Sequence, residues 1–181
     1  FFESVDTEIE ENKKSEPGKR GRGSQKQRKV LVMASTVYDF SKRKKYDKPT
    51  KFRYVKMLVV DDLKGHTVGE KVSENIKYDS VVKTDNYTSY SRLKERVWCH
   101  IPRKVSPKEA GKVLPWVHTM IANAKRTLLG IHHMISSKYA QNYLDEFCYK
   151  VNRRNYGDQL FDRLLIACVT TNYQNIVKHY R

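Results

Sequence analysis

The 181-residue chain carries 36 Lys and Arg against 20 Asp and Glu, a formal net charge of +16 at neutral pH. Its length suits one domain with a hydrophobic core, and no apolar run approaches the ~18 residues needed to cross a bilayer, which excludes a membrane span. So positive a charge, interleaved with 12 tyrosines, favours a polyanionic partner, most often nucleic acid. The alternative is a basic protein that is merely soluble.

The cysteines and the first residues bear on cellular location and completeness. Cys99, Cys148 and Cys168 are odd in number, widely spaced and without a CxxC pair. We therefore expect reduced thiols in a cytoplasmic protein, not a disulfide framework or a zinc site. No secretory signal is visible. The chain opens on Phe1-Phe2-Glu3, which reads like the middle of a strand, so we expect a fragment whose N-terminal part is missing.

The first 60 residues predict strands around one basic loop. Residues 1–9 are expected to end a strand, 10–27 to be a polar connection, and 30–37 and 52–60 to be strands flanking a charged turn at 42–51. Within 17–29, glycines alternate with cations and can follow a phosphate backbone. The alternative is a solvated hairpin tip. The residues of this segment that we expect on DNA are Lys19, Arg20, Arg22 and Lys26.

The next elements lead to a single carboxylate. Thr67 and Glu70 have the spacing of a capping box and predict a helix to about residue 76. A strand then ends on Asp85, at the sheet edge where open α/β proteins place their sites. Capping of the following helix is the alternative role for Asp85. Strands, a helix and a further strand together predict a mixed sheet with a crossover connection.

The second half of the sequence predicts helices. A last short strand is expected at 97–100 and a loop at 101–113, followed by a helix at 116–129 that stops at Gly130. Ser136 is placed to cap the next helix, and Gly157-Asp158 to start a final one. The apolar residues expected to face the core are Leu114, Val117, Ile121, Ala124 and Leu128 in the first helix; Tyr139, Tyr143, Phe147 and Val151 in the second; and Leu160, Phe161, Leu164, Leu165 and Cys168 in the last.

Two segments resemble a known family. Residues 82–90, VKTDNYTSY, resemble the second-aspartate segment of bacterial insertion-sequence transposases of the ISXO2-like group, which have a ribonuclease H-like catalytic domain. Residues 114–130, LPWVHTMIANAKRTLLG, resemble the segment that holds the third catalytic residue of that group. The likeness continues in collinear order at residues 19–23, 130–133, 143–147 and 152–154.

The resemblance implies a fold and an activity. Residues 1–181 would be a single catalytic domain: an α/β, ribonuclease H-like mixed sheet flanked by helices, with a helical C-terminal part and a truncated first strand. The family's N-terminal DNA-binding region would be missing. Asp85 would be the second acid and Asn123 the third position, which is Glu in some branches and Asn in others. The first acid belongs to an Asp-Glu pair expected just before Phe1, and Asp6 is the nearby carboxylate that can replace it.

The implied reaction cuts insertion-sequence ends and joins them to target DNA with two Mg²⁺ or Mn²⁺ ions. Asp85 and Asn123 would be metal ligands, and Lys125 and Arg126 would contact DNA. His118 can share the site only if its helix starts after it; otherwise it has a packing or hydrogen-bonding role. The resemblance further implies a homo-oligomer on DNA in the bacterial cytoplasm, associated with the nucleoid. Without the first acid, we expect little cleavage by this chain.

Rival functions remain open at the level of sequence. The chain can be a DNA-binding remnant of a transposase, or a nuclease on the same fold, because fold does not fix function. Among the other polar groups, we expect Asp61-Asp62 to face solvent, His132-His133 to lie in a turn, and Glu146 to sit on an exposed helix flank.

Overall fold

The computed structural model describes residues 28–38, 50–104, 113–132 and 135–170. The strands are β1 Lys29–Tyr38, β2 Thr50–Val60, β3 Val81–Asp85 and β4 Cys99–Arg103, and the helices are α1 Gly65–Asn75, α2 Pro115–Ile131, α3 Ala140–Arg153 and α4 Leu160–Thr170. Short 3-10 helices span Thr88–Glu95, Ser137–Tyr139 and Arg154–Gln159. The strand expected at 1–9, the connection at 10–27, with Asp6 and the basic loop, and most of the turn at 42–51 lie outside the described residues. None of the described helices is long and apolar enough to cross a membrane.

The predicted α/β class is confirmed, with a hairpin as its first part. β1 and β2 pair antiparallel, from Lys29 opposite Val60 to Tyr38 opposite Thr50. The register shifts once, where Ser35 lies opposite Tyr54 but Thr36 lies opposite Phe52, so one residue of β2 bulges out. The bulge returns Phe52 to the face that Val55 and Met57 occupy, because it resets the alternation of side chains.

The two faces of this hairpin meet different parts of the molecule. We call the face that carries Val55 and Met57 the inner face; it packs with α2 and α3 in the larger core cluster. The opposite, outer face contributes Leu31 and Val60 to a second cluster, formed with α1 and the 3-10 helix 88–95. Alternate residues of each strand are therefore buried on opposite sides, as in a sheet covered on both faces.

β3 and β4 form a second, parallel pair. Their register runs from Val81 opposite Cys99 to Asp85 opposite Arg103. Val82 packs against the same second cluster as the outer face of the hairpin. Within the described residues, the strands therefore make two two-stranded sheets, and both turn one face toward a shared core.

Side chains of α3 occupy the free edge of β2. The amide of Asn152 accepts a hydrogen bond from the Val55 N–H (2.8 Å) and donates one to the Val55 carbonyl (2.9 Å). Gln141 accepts from the Val59 N–H (2.8 Å) and donates to the Met57 carbonyl (3.0 Å). These amides replace the backbone of a neighbouring strand, so the edge cannot pair with another chain there.

The larger core is centred on α3 and the inner face. Met57, Ala124, Ala140 and Leu144 are completely buried. Burying a side chain such as Leu144 contributes about 1.5–3 kcal/mol relative to leaving it exposed. This packing fixes α2 and α3 against one side of the hairpin, and so positions the polar flank of α2.

Two boundaries of the front half differ from the sequence-based predictions. α1 begins at Gly65, with Lys64 as N-cap and no side-chain cap, so the capping box predicted at Thr67 is wrong. The Asp62 carboxylate instead accepts the Lys64 N–H (3.0 Å) just before the helix. The strand predicted at 97–100 begins at Cys99 and continues to residue 103, because β3 supplies pairing partners along that whole length.

Three expectations for the back half also need correction. Gly130 is not the helix stop: α2 continues to residue 131, and the His132 N–H bonds to the Leu128 carbonyl (2.8 Å). The buried stripe of α2 includes Met120, which the predicted stripe omits. Ser136 precedes a 3-10 turn and makes no side-chain cap, while Tyr139 is 41% exposed instead of facing the core.

The final helix begins at Leu160, not at 157–158, after Gly157 at a φ of +51°. Positive φ is favourable for glycine, which lacks a Cβ. The prediction that this helix faces the core is wrong, because its large apolar residues are exposed by 43–85%. Its main neighbour among the described elements is the 3-10 turn before it. The apolar periodicity marks an apolar surface, but nothing in the sequence specifies what covers it.

Candidate functional site

Asp85 is the last residue of β3 and is half-buried. Its Oδ1 atom is buried and has no hydrogen-bond partner among the described residues. A buried carboxylate oxygen without a partner costs free energy, and buried charges are normally paired or coordinate a metal. The donor type and its environment therefore fit a hard divalent cation.

The alternation of β3 determines which way Asp85 faces. Val82 points into the second core cluster, and side chains three residues apart on a strand lie on opposite faces. Asp85 therefore faces away from that cluster. α2 lies against β1 and packs into the larger cluster on the inner face, also opposite the second cluster. Asp85 and α2 thus each lie on the side of their own strands that is turned away from the second cluster.

Asn123 lies on the flank of α2. The buried residues of this helix are Met120, Ala124 and Leu128, whereas Asn123 is half-buried. At ~100° per residue, Asn123 is ~60° from Met120 around the helix. Arg126 is exposed and lies on the Asn123 side, one turn later. The polar flank of α2 therefore offers an amide and a cation at helical spacing.

His118 does not share this flank. α2 begins at Pro115, and the His118 N–H already bonds to the Leu114 carbonyl (3.2 Å). The condition that the helix starts after His118 is not met. His118 is exposed and lies ~140° from Asn123 around the helix. Lys125 is exposed and similarly distant, on the His118 side.

Cations flank Asp85 on its own face. Arg103 is its register partner on β4, and Lys83 precedes it by two residues on β3; both are exposed. Sequence reasoning missed Arg103, because the extent of β4 depends on pairing with β3 and not on a local pattern. The electrostatic environment at the end of β3 is therefore positive, which suits a phosphate-bearing substrate.

A hydrogen bond on the opposite face ties β3 to β4. The Thr84 hydroxyl lies 2.8 Å from His100 Nε2. His100 Nδ1 is buried without a partner among the residues that the structure describes. Burial, and then the charge of Lys94, lower the pKa of His100. The neutral imidazole is therefore favoured, and it holds the residue next to Asp85 against the neighbouring strand.

The described part of the chain contains no cluster of three or more His, Cys, Asp or Glu side chains able to hold a metal. Asn123 is not one of these residue types, and Asp6 lies outside the described residues. Among the described residues, Asp85 is the acid that has a buried, unpaired oxygen. A metal site at Asp85 would need an amide oxygen and a further acid as additional ligands.

The remaining polar candidates have other partners or are exposed. Asp61 is exposed. A hydrogen bond from Thr67 and the Lys64 N–H hold the pKa of Asp62 below its usual value. His132 lies against the Tyr143 ring (4.4 Å between centroids), and His133 is outside the described residues. Glu146, exposed on α3, pairs with Lys150 one turn later.

Comparison with known proteins identifies one family. The family model described as the ISXO2-like transposase domain matches residues 5–152. This range contains Asp85 and Asn123, as well as Asp6, and it ends before α4. Neither the curated proteins nor the solved structures compared with the chain include a match.

Proposed function

Because the chain belongs to the ISXO2-like transposase domain family, we propose that it is the catalytic domain of a DNA transposase. It cuts insertion-sequence ends and joins them to target DNA by metal-dependent phosphoryl transfer. The observation that carries this proposal is the buried, unpaired Oδ1 of Asp85 at the end of β3.

The fold proposed for this domain is ribonuclease H-like. Its support is that the outer face of the β1–β2 hairpin and the Val82 side of β3 pack into one cluster. We interpret both pairs as parts of one mixed sheet, with α1 on one side and α2 and α3 on the other. The carboxyl end of β3 is then the edge at which open α/β sheets bind ligands.

Three groups hold the divalent ions in this proposal. Asp85 supplies a carboxylate, and Asn123 supplies an amide oxygen, which is a weaker, neutral ligand for Mg²⁺ or Mn²⁺. The third ligand is the family's first acid, for which Asp6 is the candidate within this sequence. When bound, two ions polarise the phosphoryl oxygens and favour an in-line displacement.

The protein's own cations position the DNA. Arg103 beside Asp85, and Arg126 beside Asn123, are exposed and neutralise phosphates that flank the reacting one. Lys125 and the basic loop Lys19–Lys26 are further phosphate contacts. We further propose that more than one copy of the protein assembles on two DNA ends. This assembly takes place in the bacterial cytoplasm, at the nucleoid.

The joining step conserves atoms. The 3′-hydroxyl oxygen of the element end forms a new bond to a target phosphorus, and the bond from that phosphorus to the target's 3′ oxygen breaks. The target strand leaves with a 3′-hydroxyl, and the proton of the attacking hydroxyl passes to solvent. Arg103 and Arg126 offset the negative charge that gathers on the phosphoryl oxygens.

The test is a strand-joining assay on the protein in its full natural length, with labelled element ends and a target plasmid. Asp85→Asn should reduce joining at least about a hundredfold, whereas Asp79→Asn, an exposed acid just before the same strand, should leave it unchanged. Asn123→Ala should reduce joining, whereas Asn142→Ala, an exposed asparagine on α3, should not. Joining that persists in Asp85→Asn would refute the assignment.

The assay also separates the rival functions. Cutting without joining indicates a nuclease. If the unmutated protein binds DNA but neither cuts nor joins it, the protein is a DNA-binding remnant. This alternative is kept because Asp6, the candidate first acid, lies outside the described residues. Both outcomes contradict the proposed strand transfer.

A further inference from the structure

Half of the outer face of the β1–β2 hairpin is left open in the described structure. Leu31 and Val60 are covered by the second core cluster, and Met33 packs partly against it. On β2 the outer-face positions from Lys56, which lies opposite Met33, to Lys51 are exposed, and on β1 so are Ser35 and Val37. We call these positions the cationic sheet face; they are Ser35, Val37, Lys51, Arg53, Tyr54 and Lys56.

The composition of this face is one-sided. Three of its six residues are Lys or Arg, and neither β1 nor β2 contains an Asp or Glu. Tyr54 is 47% exposed, and the guanidinium of Arg53 lies over its ring at 5.6 Å from the centroid. A face of this kind presents cations on two paired strands, without any acid of those strands to neutralise them.

The bulge and the edge of β2 fix the cations in place. Arg53 is the bulged residue, and its carbonyl accepts a hydrogen bond from the Asn155 side chain (3.2 Å). Lys51 and Lys56 lie opposite Val37 and Met33, which are four residues apart on β1, so the two lysines are separated by roughly 13 Å at ~3.3 Å per residue. Duplex DNA presents a phosphate charge about every 1.7 Å of its axis, so this span covers roughly four base pairs.

In the mixed sheet proposed above, the cationic sheet face and Asp85 point in opposite directions. The face lies on the outer side, with the second cluster, whereas Asp85 faces away from that cluster. A DNA segment at Asp85 therefore cannot also lie flat on the cationic sheet face without leaving the site. Any polyanion bound to this face is a separate segment.

We propose that the cationic sheet face binds the backbone of a duplex DNA segment distinct from the segment at Asp85. Lys51, Arg53 and Lys56 contact phosphates, and the Arg53–Tyr54 pair keeps the guanidinium oriented toward the duplex. The inference rests on the proposed function for the identity of the polyanion as DNA and for the mixed sheet that separates the two segments. The binding itself needs neither Asp85 nor a metal ion.

The test is fluorescence anisotropy of a labelled ~30-base-pair duplex in EDTA, between about 50 and 200 mM KCl. Lys51→Glu/Lys56→Glu should weaken binding at least about tenfold and reduce the slope of log K against log salt by about 2, since each phosphate contact contributes ~0.9. The matched control is Lys77→Glu/Lys138→Glu, which reverses two exposed lysines off this face. It changes the net charge equally and should retain the wild-type slope.

Other outcomes overturn the proposal. Equal losses in the two double variants would indicate only an effect of net charge. If Tyr54→Ala instead weakens single-stranded DNA more than duplex, the face is a stacking platform for single strands. Because metal is absent, a failure here leaves the joining assay on Asp85 unaffected, and loss of joining in Asp85→Asn leaves this binding intact.

A second measurement uses the unmutated protein, so it does not depend on the variants folding. Acetylation of lysines, read by mass spectrometry with and without duplex, should show Lys51 and Lys56 protected by DNA. Lys77 should react equally in both samples. If Lys51 and Lys56 are acetylated equally with and without saturating duplex, the duplex does not bind to this face.

Discussion

Asn152 holds the edge of β2, and its loss should destabilise the fold by a predictable amount. The side chain makes two hydrogen bonds with Val55, at 2.8 and 2.9 Å. Each such bond has a net value of about 0.5–1.5 kcal/mol, and more where a buried backbone group is left unpaired. We therefore expect Asn152→Ala to lower the free energy of unfolding by about 1–3 kcal/mol.

The control for this prediction is on the same helix. Asn142 is exposed on α3, so Asn142→Ala gains the same intrinsic helix propensity as Asn152→Ala and loses no edge contact. The difference between the two variants isolates the contacts with β2. It excludes a general effect of alanine on the helix.

Urea unfolding followed by tryptophan fluorescence measures the difference, since Trp116 lies against Phe52 at one end of β2 (5.6 Å between ring centroids). With an m-value of about 2 kcal/mol/M, Asn152→Ala should shift the midpoint downward by about 0.5–1.5 M at an unchanged m-value. If the midpoints of Asn152→Ala and Asn142→Ala coincide, the amide does not replace a strand partner.

Three further results follow from burial and pKa. Leu144→Ala should lower the free energy of unfolding by about 2–5 kcal/mol because Leu144 is completely buried. Leu129→Ala, at a 53%-exposed position, should lower it by under ~1 kcal/mol. Similar losses for the two variants in urea unfolding would contradict the packing. Burial raises the pKa of the Cys148 thiol to about 11. A thiol-specific reagent at pH 8 should therefore modify the exposed Cys168 and leave Cys148 unmodified until the protein unfolds. Prompt labelling of Cys148 would contradict its burial. Burial lowers the pKa of His100, so the unfolded state binds a proton more readily than the folded state does. The stability that this group contributes is therefore present above the usual imidazole pKa near 6.5 and is lost as pH falls below it. The variant His100→Asn should lack this pH-dependent loss of stability.

Local patterns in the sequence were sufficient for the elements with a strong apolar period. The alternation in β2 and the helical period of α2 predict their extents to within two residues, and the valines before Asp85 place it at a strand end. These signals depend on side chains a few residues apart. They need no knowledge of distant partners.

Features that depend on distant partners were not predictable. β4 runs to Arg103 because β3 pairs with it, and α1 starts two residues before Thr67 without a side-chain cap. The apolar face of α4 resembles a core-facing stripe, although Phe161 is 66% exposed. Periodicity records which residues avoid water, but not which surface, if any, covers them.

The candidate site divides in the same way between local and distant signals. Asp85 and Asn123 are predicted as metal ligands from their own segments and stay predictions, whereas the exclusion of His118 needs the start of α2. The pairing that brings Arg103 next to Asp85 left no local signature. Sequence thus places Asp85 at the end of a strand, whereas its neighbours across the strands require the fold.

The most direct measurement is anomalous scattering from Mn²⁺ in crystals of the protein, with Asp85→Asn and Asp79→Asn as the variant and its control. We expect anomalous density next to the Asp85 carboxylate and within reach of the Asn123 amide, lost in Asp85→Asn and kept in Asp79→Asn. Density elsewhere, or none at saturating Mn²⁺ with Asp85 and Asn123 too far apart to share an ion, would contradict the assignment of the metal site.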